Sequence, residues 1–289
     1  MDFKIAAVFV LYNQDEDKFY RSYQSLKDQV NAIIVYNNGK NDFTTEDEKT
    51  TVIAGEKNIG IAAAQNRAAE AALKAAADYI LFSDQDTVYP PDYVSRMMSI
   101  LQKEEKSRKV SCLAPQFYSE VAKVKPPFMT VKDGVCVQQN VDSGTKEVFF
   151  TISSGQIMSA ASLKDIGLFK EDFFIDWVDI EWCFRAMRKG YVNLQTADVE
   201  IKHSLGDDRV KFFRYSLTKH SQKRNYYYIR NGNWLVNNGG LTEAQKQVAL
   251  PMLKSNTISA FICHRPHFFK TFSIYKKALN DAKNNRLGE

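Results

Sequence analysis

Two carboxylates directly follow a short apolar run. The segment YILFSDQD places Asp84 and Asp86 immediately after residues that are typical of a buried strand. Residues i and i+2 of an extended chain point the same way, so both carboxylates could address one hard divalent cation that also binds a diphosphate. An Asp-rich turn before a helix is the alternative interpretation, because a DxD triplet occurs by chance in many proteins.

A second group of acids lies in strongly apolar sequence, FFIDWVDIEWCFRAMRKGY. Acidic side chains are costly to bury unless they are paired, coordinated or used for proton transfer. If a helix begins near Val178, Asp179 lies in its first turn. Arg185 then follows Glu181 at the spacing of a helical ion pair, which we interpret as structural. Asp179 is a candidate proton acceptor, and a helix cap is its alternative role.

A third candidate is His203, in the segment IKHSLGD just past a predicted strand. Imidazole is a common metal ligand, but a single histidine is more often an ordinary core or surface residue. His203 becomes a candidate ligand only if the fold brings it to Asp84 and Asp86.

The elements that must position these residues alternate along the chain. Apolar runs and helical patterns follow one another from KIAAVFVLY through AIIVYNN to YILFSDQD, which predicts a doubly wound α/β fold with a parallel sheet. The clearest helix is predicted at about residues 61–78, because ten of residues 62–77 are alanine. Ligands bind beyond the carboxyl ends of such strands, where Asp84 and Asp86 fall.

The rest of the chain divides into three kinds of sequence. Pro90 and Pro91 suit the first turn of a helix that continues to about Lys106. Residues 116–147 are strand-like and rich in turn signals, which predicts a hairpin-bearing excursion. Past Gly206 the pattern is helical, basic and aromatic. We therefore predict an α/β domain over residues 1–205 and a basic helical region over residues 206–289.

Charge is unevenly distributed between the two parts. Residues 1–201 hold 23 Lys and Arg against 29 Asp and Glu, a net charge of −6, and residues 202–289 hold 16 against 5, a net charge of +11. Basic helices with interleaved aromatic residues are typical of interfacial helices on anionic lipid. A solvated helical surface and nucleic-acid binding are the alternatives, although no RRM, KH or zinc-finger pattern supports the latter.

The predicted lipid contacts are aromatic and basic side chains of this region. The aromatic candidates for shallow insertion are Phe212, Phe213, Tyr226, Tyr227, Phe268, Phe269 and Phe272, and the lysines expected at the lipid surface are Lys270, Lys276 and Lys277.

Composition excludes several classes of protein. The 289 residues are 44% hydrophobic and 25% charged, the balance of an ordinary globular chain. No run of about 18 apolar residues could cross a bilayer. The N-terminal apolar stretch has no small-residue cleavage site and is predicted to be a buried strand. The four cysteines form no CxxC pair, so we expect them to be reduced and the protein to be cytoplasmic.

Taken in order, eight segments resemble a family 2 glycosyltransferase of the GT-A fold, in particular the bacterial rhamnosyltransferases of O-antigen and capsular polysaccharide synthesis. The segments are AVFVLYN, IIVYNNGK, NIGIAAAQNRA, LFSDQD, SSGQIMSA, FIDWVDIEWCFR, HSLGD and YYYIRNGNWL. Each is short, but their order is specific, and together they cover about residues 4–235.

The resemblance implies an inverting, metal-dependent transfer of a sugar from a nucleotide donor. The expected donor is dTDP-L-rhamnose, and UDP-glucose or UDP-galactose is the alternative. The expected acceptor is a saccharide on a polyprenyl diphosphate, which implies a peripheral location at the inner face of the plasma membrane, with oligomerisation left open. The alternative of another class is a non-catalytic basic module that binds membrane or nucleic acid. Asp84, Asp86 and Asp179 are all present, which argues against a module that has lost its catalytic residues.

The resemblance also assigns roles to individual residues. It implies that Asp84, Asp86 and His203 hold Mg²⁺ or Mn²⁺, and that Asp179 is the catalytic base. The residues expected to contact the nucleotide are Val10, Tyr12, Asn13, Asn37, Asn38, Asn58, Gly60, Gln65, Asn66, Asp84 and Gln85. Those expected to contact the sugar or acceptor are Ser154, Gly155, Asp176, Trp177, Glu181 and Arg230, the last through a phosphate.

The sequence departs from the family pattern at two positions. Asn37 stands where an aspartate is common, but its amide oxygen can still accept a hydrogen bond from a pyrimidine N3–H. Val178 stands where a glutamate precedes the catalytic aspartate. Any supporting role of that missing carboxylate falls to Asp176 or Glu181, or to no residue at all.

Overall fold

The computed structural model describes residues 3–39, 43–119, 123–203, 208–212 and 215–289. Within these ranges the strands are β1 (Ile5–Leu11), β2 (Ala32–Asn37), β3 (Thr50–Ala54), β4 (Tyr79–Ser83), β5 (Val110–Ser119), β6 (Phe128–Lys132), β7 (Val135–Gln139), β8 (Thr145–Val148), β9 (Gln156–Ser159), β10 (Val192–His203), β11 (Asp208–Phe212) and β12 (Tyr215–Lys219). The helices are α1 (Glu16–Lys27), α2 (Ile61–Lys74), α3 (Tyr93–Glu105), α4 (Ala160–Ile166), α5 (Val178–Arg188), α6 (Gln222–Asn238), α7 (Glu243–Cys263) and α8 (Phe268–Lys283).

One large sheet organises the described part of the chain, in the strand order β3-β2-β1-β4-β9-β5-β10-β8-β6-β7. Strands β3, β2, β1 and β4 are mutually parallel, and β10 runs parallel to β5. β9 lies antiparallel between β4 and β5, and β8, β6 and β7 extend the sheet with antiparallel pairs. Helices α1 and α3 cover one face, and α2 and α5 cover the other. The predicted doubly wound α/β fold with flanking helices is confirmed.

Strand β1 shows why the parallel strands have continuously apolar sequences. Ala6, Val8 and Val10 pack into the core beneath α2 and α5. The intervening residues, Phe9 among them, pack into the core beneath α1 and α3. Every residue of β1 is buried, so neither face of the strand could be polar without losing hydrophobic stabilisation.

The alanine-rich helix α2 is confirmed but ends earlier than predicted, at Lys74 rather than near residue 78. Ala76 has a left-handed backbone with a φ of 57°, and the N–H groups of residues 75 to 77 bond back to carbonyls of the last turn. Five alanines on the sheet-facing side are wholly buried, namely Ala62, Ala64, Ala68, Ala69 and Ala72. These small side chains bring α2 close to the sheet.

The region past residue 206 contains the predicted helices α6, α7 and α8, but it also contains the antiparallel pair of strands β11 and β12. The expectation of helix from residue 206 onward is therefore wrong for residues 208–212 and 215–219, where valine, tyrosine and phenylalanine favour strand. None of the described helices combines the length and the apolar composition needed to span a bilayer.

We predict that Ala68→Leu destabilises the protein, because Ala68 is fully buried between α2 and the sheet and extra methylenes would overpack this core. The expected loss is about 1–3 kcal/mol in the free energy of unfolding, measured by urea denaturation. Lys74→Leu, at an exposed position of the same helix, is the control and should change it by less than about 0.5 kcal/mol. Equal effects of both variants would contradict the close packing described.

Candidate active site

A cavity of about 480 Å³ opens beyond the carboxyl ends of the parallel strands, within the volume that small-ligand sites occupy. Its lining residues are Val10, Tyr12, Asn38, Asn58, Gly60, Ile61, Gln65, Asp84, Gln85, Asp86, Ser153, Phe174, Ile175, Asp176, Val178, Asp179 and Arg224. The structure therefore brings together, in one cleft, residues that lie far apart along the sequence.

The Gln85 side chain joins the ends of β1 and β4. Its Oε1 accepts a hydrogen bond from the Tyr12 N–H at 3.0 Å, and its Nε2 donates to the Tyr12 carbonyl at 3.3 Å. A primary amide can pair with both groups of one backbone residue in this way, as a neighbouring strand would. The pairing fixes the backbone beside Asp84 and Asp86 relative to β1.

Asn38 and Asn58 shape the turn that leads into α2. Asn38 Oδ1 accepts from the Ile59 N–H at 2.8 Å, and its Nδ2 donates to Asn58 Oδ1 at 3.1 Å. Asn58 Oδ1 also accepts from the Gly60 N–H at 2.9 Å. Gly60 is required here because its φ is +86° and a Cβ would lie 2.6 Å from the Phe174 carbonyl oxygen.

Asp84 and Asp86 both line the cavity and are half-buried. Among the residues that the structure describes, no group of three or more His, Cys, Asp or Glu side chains could hold a metal ion alone. Mg²⁺ is commonly bound by one or two carboxylates together with substrate phosphates. The two oxygen-donor side chains fit a divalent ion that is shared with a diphosphate.

Asp179 lies in the first turn of α5, as predicted, because the helix begins at Val178. Its carboxylate accepts hydrogen bonds from the Ser153 N–H at 3.2 Å and the Ile180 N–H at 3.1 Å. Desolvation by the surrounding protein raises the pKa of Asp179 to about 6, with the charge of Asp176 adding to the increase and the backbone N–H groups opposing it. A carboxylate with this pKa and access to the cleft can accept a proton near neutral pH.

The turn that precedes α5 has a strained backbone. Phe174, Asp176 and Trp177 have φ values of 62°, 64° and 66°, a region that side chains other than glycine rarely adopt. The Ile175 N–H bonds to the Phe173 carbonyl at 2.7 Å, which makes Phe174 the centre of a γ-turn. Such conformations persist only where surrounding contacts enforce them.

Helix α6 supplies those contacts. Asn231 is fully buried, and its Nδ2 donates to the carbonyls of Phe173 at 2.7 Å, Ile175 at 2.9 Å and Asp176 at 3.2 Å. The Trp177 indole N–H donates to the Tyr228 carbonyl at 3.0 Å. Residues 173–177, which we call the clamped turn, are thus held by side-chain and backbone groups of a helix some 50 residues away.

Arg230 is placed differently from the expectation. It is 1% exposed, its guanidinium donates to the Asp172 carbonyl at 3.0 Å and also bonds the Gly288 carbonyl, and it does not line the cavity. The phosphate contact predicted for Arg230 is therefore wrong for this conformation, because the carbonyls behind the clamped turn take up its donors. Arg224, one and a half turns earlier on α6, lines the cavity instead and pairs with Asp176 at 3.0 Å.

Several other predicted residues do not line the cavity but hydrogen-bond to the elements around it. Asn66 joins α2 to the Phe169 backbone through bonds of 2.8 and 2.9 Å. Buried Ser154 shares a hydrogen bond with Thr87, and Gly155 donates to the Phe82 carbonyl. Their neighbour Ser153 is the cavity-lining residue of that segment.

The remaining predicted positions lie at the edge of the cleft or within the core. Asn13 is exposed beside Tyr12, Asn37 is buried at the end of β2, and Trp177 is buried beneath α6. Glu181 is bonded through both oxygens to Arg185 at 2.9 Å, which is the structural ion pair favoured for Arg185 from its spacing. The side chain of His203 lies outside the described part of the chain, although its backbone pairs with Ser119.

Sequence reasoning missed Arg224 and Asn231 as site residues. A cation near the start of a basic helix gave no sign that it reaches Asp176, because the contact spans 48 residues. The only local signal for Asn231 was its place in the segment YYYIRNGNWL, where a polar amide interrupts aromatic residues.

We predict that Asn231→Ala destabilises the protein by about 3 kcal/mol, since one buried and two partly buried carbonyls lose their donor. Urea denaturation measures the loss. Asn237→Ala, an exposed asparagine on the same helix that bonds only the Asn233 carbonyl among the contacts described, is the matched control with an expected effect below about 0.5 kcal/mol. A similar small effect for both would show that the clamped turn does not depend on Asn231.

Comparison with known proteins identifies chains of similar sequence and similar fold. The chain is 29% identical over 270 residues to the dTDP-rhamnosyl transferase RfbF of Shigella flexneri, covering 90% of each chain. TarS of S. aureus, solved in complex with UDP-GlcNAc, has a TM-score of 0.59 at 18% identity, with 97% of this chain and 80% of that chain covered. GalNAc-T7, solved with UDP, GalNAc and Mn²⁺, has a TM-score of 0.56 at 10% identity, with 86% and 54% covered.

A family model provides the assignment. The model described as glycosyl transferase family 2 matches residues 7–167, which are 161 of the 289 residues, from β1 to the end of α4. The match confirms the resemblance noted in the sequence. The chain therefore belongs to glycosyl transferase family 2.

Proposed function

We propose that this protein transfers L-rhamnose from dTDP-L-rhamnose to a saccharide hydroxyl in one inverting displacement. The observation that carries the proposal is the cleft itself, because Asp84 and Asp86 line the same cavity as a carboxylate of raised pKa, Asp179. The choice of donor is supported by similarity to RfbF, which is named as a dTDP-rhamnosyl transferase and matches along 90% of both chains.

The nucleotide would occupy the side of the cleft formed by β1, β2 and the turn before α2. Val10, Tyr12, Asn38 and Asn58 line this side. Asn37 Oδ1 is buried at the end of β2 and has no hydrogen-bond partner in the part of the chain that the structure describes. An unpaired buried acceptor is costly, and the N3–H of a thymine or uracil base would satisfy it.

The diphosphate would lie between Asp84, Asp86 and Arg224. Two carboxylates repel a diphosphate by themselves, so a bound Mg²⁺ or Mn²⁺ would supply the positive charge that stabilises the departing group. Arg224 lines the same cleft and carries a planar guanidinium that suits phosphate oxygens. We assign to Arg224 the phosphate contact first expected of Arg230.

Asp179 would act as the general base. Its carboxylate takes the proton from an acceptor hydroxyl while that oxygen forms a bond to the anomeric carbon of the donor sugar. The bond from the anomeric carbon to the diphosphate oxygen breaks, and its electron pair leaves with the diphosphate. Attack opposite the leaving group inverts the anomeric configuration. The Ser153 and Ile180 N–H groups keep the carboxylate oriented toward the cleft.

The acceptor we propose is a saccharide attached to a polyprenyl diphosphate. The support is the net charge of +11 over residues 202–289, which suits an acceptor carried by an anionic membrane. Asp176 and Ile175 of the clamped turn line the cleft beside Asp179, where the acceptor hydroxyl must enter.

We predict that Asp179→Asn lowers kcat for rhamnosyl transfer by about 10²–10⁴-fold and leaves donor affinity unchanged, because it removes a proton acceptor but keeps the shape. In the wild type, kcat/KM should fall about tenfold per pH unit below the pKa of Asp179, about 6, since the protonated carboxyl cannot accept a proton. Steady-state kinetics across pH measure both effects.

The matched control is Asp172→Asn, an exposed aspartate just before the clamped turn, whose kinetics should equal those of the wild type. Transfer by Asp179→Asn within about tenfold of the wild-type rate would exclude Asp179 as the base, since a general base contributes more than this.

We predict that dTDP-L-rhamnose raises Tm in the presence of Mn²⁺ and that Asp86→Ala removes the Mn²⁺-dependent part of the shift. Saturating ligand at one hundred times its Kd stabilises the folded state by about 2.7 kcal/mol. His203→Ala should reduce the shift less, as one ligand of several. UDP-glucose and UDP-galactose complete the panel and test the choice of donor.

Asp92→Ala, an exposed aspartate at the start of α3, is the control for Asp86→Ala. An Mn²⁺-dependent shift that survives in Asp86→Ala would contradict the metal role. A larger shift with either UDP-sugar than with dTDP-L-rhamnose would overturn the proposed donor while retaining the proposed site.

A further inference from the structure

Three phenylalanines are exposed where α7 and α8 meet. Phe269 is 86% exposed, Phe268 is 50% exposed and Phe272 is 40% exposed. Their rings contact one another, with Phe268 stacked on Phe272 at 6.2 Å and edge-on to Phe269 at 5.8 Å. We call residues 261–277 the α7–α8 elbow. A contiguous aromatic surface of this kind usually marks an interaction site.

The charge of the elbow is uniformly positive. Residues 244–280 contain no Asp or Glu, but six Lys and Arg residues: Lys246, Lys254, Arg265, Lys270, Lys276 and Lys277. Arg265 and Lys270 are exposed beside the phenylalanines, and Lys276 Nζ lies 4.8 Å from the centre of the Phe272 ring. The partner of this surface must therefore be both anionic and apolar.

We infer that the α7–α8 elbow binds the surface of an anionic lipid bilayer, with the phenylalanines inserted shallowly and the cations at the headgroups. Aromatic side chains flanked by Lys and Arg are the composition that such interfacial segments use. Nucleic acid is the alternative occupant, because bases also stack on exposed aromatic rings, and the test below distinguishes the two.

The structure shows that some of the side chains expected from the sequence to contact lipid have partners within the protein. Tyr227 is buried and stacked on Phe174 at 4.8 Å. The Tyr226 hydroxyl donates to Asp281 at 2.8 Å, and Lys277 lies over the Tyr226 ring and pairs with Asp281 at 3.8 Å. The contacts among Tyr226, Lys277 and Asp281 hold α8 against α6. The side chains of Phe212 and Phe213 lie outside the described part of the chain.

The elbow adjoins the end of α6 that faces the cleft. His264 Nε2 hydrogen-bonds the His220 carbonyl at 2.9 Å, and Gln222 Nε2 donates to Thr271 Oγ1 at 3.4 Å. Arg224, two residues after Gln222 on α6, lines the cleft. A bilayer bound at the elbow would thus lie near the cleft, although lipid binding itself does not depend on the proposed transfer reaction.

The test is cosedimentation of the full chain with vesicles of equal parts phosphatidylglycerol and phosphatidylcholine, and with vesicles of phosphatidylcholine alone. Binding should occur only to the anionic vesicles and should weaken with salt. Phe269→Ser and the pair Lys270→Glu, Lys276→Glu should each weaken it at least about tenfold. The matched control is Lys103→Glu, Lys106→Glu, two exposed lysines at the end of α3 on the other face of the sheet, which should bind as the wild type does.

A second variant keeps the inference falsifiable if the others fold poorly. The fluorescence of Phe269→Trp should shift to the blue when anionic vesicles are added, because the ring at position 269 leaves water. Failure of the wild type to bind anionic vesicles at low salt, an equal loss for the α3 control pair, or no shift for Phe269→Trp would each overturn the inference. Preferential binding to an RNA or DNA oligonucleotide would overturn it in favour of nucleic acid.

Discussion

The clamped turn is the constraint on which the cleft depends. The positive-φ conformations of Phe174, Asp176 and Trp177 cost about 1–3 kcal/mol each, so the turn would relax if it were not held. Asn231 holds it through three carbonyls, and the Ile61 N–H at the start of α2 holds the Phe174 carbonyl at 2.7 Å. The clamped turn also fixes the residue at which α5 begins. The position of the carboxylate assigned as the base is therefore set by two helices that do not carry it.

The cleft combines strong negative charge with a single described cation. Its lining carboxylates are Asp84, Asp86, Asp176 and Asp179, and Arg224 is the only Lys or Arg among the described lining residues. This imbalance repels a diphosphate unless further positive charge arrives with it. Desolvation favours the neutral form of Asp179, and the charge of Asp176 adds to this increase of its pKa. The overall net charge of +5 conceals the local excess of carboxylates in the cleft.

Local patterns predicted much of this arrangement and failed where contacts are distant. Strand β1, helix α2 and the start of α5 at Val178 follow from apolar runs, alanine content and spacing. The Glu181–Arg185 pair follows from the helical repeat. The roles of Asn231 and Arg224 depend on carbonyl and carboxylate groups about 50 residues away, which no periodicity records. Strands β11 and β12 were missed because their basic and aromatic composition also suits a helix.

The hydrogen bonds around Arg230 carry a consequence for biosynthesis. The Gly288 N–H donates to the Asp172 carbonyl at 2.7 Å, and the Gly288 carbonyl accepts from Arg230, so residues 172, 230 and 288 meet behind the clamped turn. A nascent chain leaves the ribosome from its N-terminus, and the strands of the parallel sheet emerge long before residue 288 does. The sheet can therefore assemble during translation while the wall beside Asp179 stays incomplete. The contacts behind the clamped turn can therefore form only after residue 288 has emerged from the ribosome.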